Sequence, residues 1–151
     1  MDSTENTNVK IFIRCVRRYF NRTTGSDQIT IEPPFLMAEE SDVILSYSGI
    51  IGVSGDHKGM VIVSCATHML DELLQHIGEP EPSVELRQDM VGEMANTIAG
   101  NLREDFGSNF LISVPLVIRG KVGIQFPKST KNLVIPLRWK ELTSYVIVCL
   151  E

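Results

Sequence analysis

The chain has 151 residues, enough for one domain with a hydrophobic core, and its apolar (43%) and charged (22%) fractions are those of an ordinary globular protein. A net charge of −5 argues against a nucleic-acid partner. No apolar run reaches the ~18 residues that a membrane span needs, and the polar start MDSTENTN lacks the apolar stretch of a signal peptide.

In chain order, residues 1–8 read as a disordered tail ahead of a single domain, residues 9–151. Val9, Phe12, Ile13, Val16 and Phe20 recur at a helical period, with Arg14, Arg17, Arg18 and Arg22 mostly off that stripe. Such a basic cluster is ordinarily a solvated helix face. Gly25 ends this helix. Ile29–Ile31 reads as a short strand, broken by Pro33 and Pro34. Val43–Val53 and Met60–Cys65 read as strands of one hairpin, joined by a turn over Ser54–Gly59. Met69, Leu70, Leu73, Leu74 and Ile77 then mark a helix that Gly78 and Pro80 stop, and residues 79–83 form a linker. A long helix is expected from about Val84 to Phe106. Beyond it four strands are expected, over Phe110–Ile118, Lys121–Phe126, Leu133–Arg138 and Thr143–Leu150. The pattern predicts an α+β domain with helices packed on a mainly antiparallel sheet.

The long helix sorts its residues by face. At about 100° per residue, Leu86, Met90, Met94, Ile98 and Leu102, widened by Val91 and Ala95, form the stripe that faces the core. Asp89, Glu93, Asn96, Gly100 and Arg103 lie on the other side, and the spacing of Glu93 and Asn96 makes their side chains neighbours. Gly92 and Gly100 fall on or beside the outer face, and each costs about 1 kcal/mol relative to Ala in a helix interior. They serve either close approach by another surface or local packing. Glu-x-x-Asn is weak as a motif alone. It also occurs at Glu5–Asn8, where no apolar stripe is expected to hold it on a rigid core.

Other chemistry is poorly supported. Cys15, Cys65 and Cys149 are odd in number and far apart, which fits neither a disulfide framework nor a metal cluster, so a reducing, cytoplasmic setting is expected. His57 lies in a turn, and His68 and His76 lack partners at zinc spacing; structural or solvated roles are expected for all three. There is no phosphate-cradling glycine loop of the P-loop kind. Asn101 falls on the apolar side of its helix and is expected to bond the backbone locally.

The segment DMVGEMANTIAGNL, Asp89–Leu102, resembles the signature helix of the CheC/CheX/FliY chemotaxis phosphatases. That signature is Asp or Ser, three residues, Glu, two residues, then Asn; Asp89, Glu93 and Asn96 match it. SGIIGVSGDHKGMVIVS (Ser48–Ser64) is similar to the hairpin of CheX-like proteins, ISVPLVIRG (Ile112–Gly120) to the strand after their signature helix, and the terminal IPLRWKELTSYVIVCLE to their last two strands. A single placed motif suits CheX rather than the two-motif CheC, and no extra switch-binding domain of the FliY kind is read here.

The resemblance implies a CheC/CheX-like single domain whose substrate is the phosphorylated receiver protein CheY or a relative. It implies no cofactor in this chain, because the receiver itself supplies the magnesium ion and a lysine. A homodimer is implied as well. Phosphoryl transfer needs positioning and charge stabilisation more than covalent help. An amide suits the missing task of holding a water in line, because Asn96 can accept one hydrogen bond and donate another without adding negative charge. Glu93 is then expected to meet the receiver's lysine. Asp89, Gly92, Gly100 and Arg103 are the remaining candidates for partner contact. The competing function is a non-catalytic binding module that docks on a receiver or a flagellar switch component.

Overall fold

The computed structural model describes residues 3–25, 29–37, 42–121, 124–128 and 131–151, with side chains from Thr7 onward. Three helices, α1 (Ser3–Thr24), α2 (Thr67–His76) and α3 (Val84–Phe106), pack on one sheet. Its strands are β1 (Thr30–Ile31), β2 (Phe35–Leu36), β3 (Tyr47–Gly55), β4 (Gly59–Cys65), β5 (Phe110–Ile112), β6 (Leu116–Arg119), β7 (Lys131–Trp139) and β8 (Leu142–Leu150). The order is β1-β7-β8-β4-β3-β5, with β2 also on β7 and β6 also on β3. Every pairing among these strands is antiparallel. This is the expected α+β architecture.

Alternation along the strands builds two cores, because successive side chains point to opposite faces. Ile51, Val53, Val61, Val63, Cys65, Val146 and Val148 meet the helices. Ile62, Val134, Ile147 and Cys149 point the other way, where Val43, Ile44, Met37, Ile124 and Phe126 cover them. The three cysteines are free and buried. Burial pushes each thiol up to about 12, and at Cys15 the bond to Asp105 adds to the shift, so none is a ready nucleophile. Among the described residues no helix is long and apolar enough to cross a membrane.

Four sequence expectations need correction. The tail expected over residues 1–8 is helical from Ser3, so Glu5 and Asn8 lie on α1. The strand expected from Val43 begins at Tyr47, because Val43 and Ile44 fold under the sheet's second face instead of joining it. The strand expected over Phe110–Ile118 is divided. β5 pairs Ile112 with Val53 and β6 pairs Leu116 with Ile50, leaving three residues opposite two, which is a one-residue bulge. Ser113 stitches that break: its hydroxyl accepts from the Gly52 amide at 2.8 Å and donates to the Val114 carbonyl at 2.9 Å. Of the strand expected over Lys121–Phe126, residues 122–123 lie outside the described residues, and Ile124–Phe126 join no strand but pack on the second core.

Candidate functional site

α3 carries the site. Ser83 caps it, its hydroxyl accepting from the Leu86 amide at 3.1 Å, and Gly107 at φ 101° ends it. Between those ends Met90, Val91, Met94, Ala95, Ile98, Ala99 and Leu102 are buried. Asp89, Glu93, Asn96 and Arg103 are exposed on the opposite side, as the helical wheel requires. The helix rests on β3 at Gly49, where a Cβ would lie 2.6 Å from the Val91 carbonyl oxygen and 3.0 Å from the Ala95 Cβ. Only a missing side chain permits this approach. Arg87, near the start of α3, grips Asp71 of α2 through two bonds of 2.6 and 3.2 Å, which fixes the helix's rotation at its other end.

The two helix glycines separate. Gly92 is buried, and a Cβ there would meet Val117 at 3.1 Å and Pro115 at 3.9 Å, so it serves packing against β6. Gly100 is half-buried with nothing within 4 Å of its Cβ position. Gly100→Ala is therefore expected to raise stability by about 0.5–1 kcal/mol. Thermal melts check this, and a lowered melting temperature would contradict it.

Neighbouring elements frame the exposed face. α1 runs antiparallel to α3: Phe12 meets Phe106 with ring centroids 5.8 Å apart, Arg14 pairs with Asp105 at 3.1 Å, and Arg18 with Glu104 at 3.6 Å. Further along, Tyr19 lies within electrostatic reach of Glu93. Burial pushes the Tyr19 phenol up to about 12, a hydrogen bond with Thr23 opposes that, and the Glu93 carboxylate adds to it. The phenol is thus neutral at physiological pH and leaves the Glu93 charge uncompensated. Among the described residues no ion pair or side-chain hydrogen bond engages Glu93 or Asn96. On the other flank Pro115 and Val117 pack beside Gly92, and at the sheet edge beyond them Val114 (85%) and Leu116 (60%) are exposed. A shallow cleft beside Gly100 and Arg103 continues to Gly107 and Ile112.

The remaining candidates take structural places. His57 packs edge-on to Phe106, centroids 5.0 Å apart, and His76 edge-on to Trp139 at 5.8 Å. His68 is exposed. Asn101 is buried at 8% exposure, but its Nδ2 has no partner among the described residues, so the local backbone bond expected for that amide is not made. Among the described residues no three His, Cys, Asp or Glu side chains cluster to hold a metal ion.

Solved structures of like fold define the class first. A CheX chemotaxis protein from Vibrio vulnificus matches with a TM-score of 0.80 at 20% identity, over 95% of this chain and 98% of its own. The CheX of the CheX–CheY–BeF3–Mg complex from Borrelia burgdorferi matches with a TM-score of 0.80 at 18% identity, over 95% and 97%. The FliM middle domain from H. pylori matches with a TM-score of 0.71 at 8% identity, over 99% and 92%. This is the CheC/CheX-like α+β domain. A search of curated proteins found no match. The family model "Chemotaxis phosphatase CheX" matches residues 47–138, which span the sheet's central hairpin and the whole of α3. The chain belongs to the CheX family.

Proposed function

We propose that this chain hydrolyses the aspartyl phosphate of a CheY-like response regulator, in chemotaxis or related two-component signalling, with Glu93 and Asn96 as the catalytic pair. The observation that carries the reading is their placement. Among the described residues both stand unpartnered, exposed on one face of a helix whose opposite face is locked into the core. A rigid support is what positioning chemistry needs. The Asn96 amide accepts a hydrogen bond from water and holds it in line with the scissile bond. The water oxygen bonds to phosphorus, and the bond from phosphorus to the aspartyl oxygen breaks with its electron pair going to the carboxylate. Inorganic phosphate leaves with the water's protons. Glu93, an uncompensated carboxylate, engages a receiver lysine and sets the register. Magnesium enters with the receiver, and no step requires a metal held by this chain. That a CheX relative from Borrelia burgdorferi forms a complex with CheY, BeF3 and magnesium supports the choice of partner.

The test is receiver autodephosphorylation with and without this protein. Acceleration is expected, and its absence against every receiver of the organism would refute the reading. The adaptor alternative gains from the likeness to the FliM middle domain, which shares the fold. It predicts binding to the receiver or switch without turnover, so the same assay combined with a binding measurement separates the two.

We also propose a homodimer formed through sheet edges. β5 and β6 end the sheet on one side, and Leu111, Val114 and Leu116 expose apolar surface there, at 47%, 85% and 60%. Light scattering should give roughly twice the 16.9 kDa chain mass. A monomer mass at high micromolar concentration would count against it.

A further inference from the structure

The chain's net charge is −5, yet α1 carries Lys10, Arg14, Arg17, Arg18 and Arg22 with no acidic residue from Val9 to Thr24. Helical spacing gathers most of these cations on one outward face, where Lys10, Arg14, Arg17 and Arg18 line a shallow groove together with Ile13 and Asn21. The apolar stripe of α1, with Phe12, Cys15, Val16, Tyr19 and Phe20 buried, holds that face outward. The cations are only partly answered within the chain. Arg14 and Arg18 reach Asp105 and Glu104 on α3, whereas Lys10, Arg17 and Arg22 have no ion-pair partner among the described residues. Those two ion pairs also bind the stripe to the helix that presents Glu93 and Asn96, so a surface docked on α3 at that face meets α1 beside it.

We infer that the basic stripe of α1 is an electrostatic docking rail for an acidic protein surface, namely the phosphorylated face of the receiver. The inference rests on the function proposed above. Its chemistry follows from what such a receiver must carry: a phosphoryl group and the carboxylates that hold its magnesium ion. A cationic strip beside the reacting face raises the encounter rate and orients the approach, and it acts on association more than on the chemical step.

The experiment compares the intact protein with Lys10→Glu/Arg17→Glu, using Lys58→Glu/Lys128→Glu as a control that changes charge equally elsewhere on the exposed surface. Receivers loaded with beryllofluoride and magnesium report association, and phosphorylated receivers report turnover, each across a series of salt concentrations. The stripe variant is expected to lose about tenfold or more in association rate and in kcat/KM at low salt, with kcat retained and a flatter salt dependence. The control variant should match the parent. Equal association and equal salt dependence in the stripe variant would overturn the inference while leaving the phosphatase reading intact. A parent protein that neither binds nor dephosphorylates any receiver would remove that reading, and the rail with it. Retention of the parent, but not of the variant, on anionic phospholipid vesicles or single-stranded DNA without any effect on the receiver would reassign the stripe and also overturn the inference. Because both altered residues are exposed, melting temperatures should be unchanged.

Discussion

Asn96→Ala is expected to lower turnover by about 2–4 kcal/mol of barrier, on the order of a hundredfold in rate, while the complex with the receiver still forms. The amide is proposed to act on the water mainly as the phosphorus–oxygen bond breaks. An interaction made only in the transition state is lost from kcat, whereas uniform binding is lost from KM. Glu93→Ala should behave differently, weakening the complex and also slowing turnover, because lost register misplaces the water. Both side chains are exposed and make no bond to the rest of the protein among the described residues, so neither change should lower the melting temperature appreciably. Receiver dephosphorylation over a range of receiver concentrations separates the two effects. Full activity in a well-folded Asn96→Ala protein would sink the mechanism.

Gly49→Ala is expected to destabilise the protein by about 2–3 kcal/mol, roughly 5–10 °C in melting temperature. The new Cβ would meet a backbone oxygen, that of Val91 at 2.6 Å, which cannot swing aside as a flexible side chain can. α3 must lift from β3, and Glu93 and Asn96 move with it because they ride on the helix's far face. Where the protein still folds, dephosphorylation should fall as well, since small misplacements of positioned groups are costly. Gly52→Ala on the same strand is the control. Its Cβ would meet only the Ser113 side chain, at 3.4 Å, and it should be milder on both counts. Equal melting temperatures for the Gly49→Ala and parent proteins would show that the contact is not tight.

By itself the sequence determined the elements with strong periodicity. α3 spans Val84–Phe106 as expected, because its apolar stripe runs unbroken for six turns between a linker and a glycine, and the same wheel placed Glu93 and Asn96 outside. The hairpin of β3 and β4 was legible from β-branched runs around glycines. Where residues answer to distant partners, local pattern misled. Val43 and Ile44 look like strand but are spent covering the sheet's second face, a surface that exists only once β4, β7 and β8 have paired. The bulge at Ser113–Pro115 follows from the register that β3 imposes on β5 and β6, and a continuous apolar run does not reveal it. Lys140 and Glu141 form the tight turn between β7 and β8 with φ of 51° and 65°, so pairing of the long strands overrides residues that seldom take that conformation. Gly92 and Gly100 looked alike on the wheel, and only the position of β6 under one and open space over the other told packing from exposure. The basic residues of α1 likewise lie beside the helix that carries Glu93 and Asn96 only because α1 packs antiparallel on α3. Periodicity reports which way a side chain points, and tertiary packing decides what it then meets.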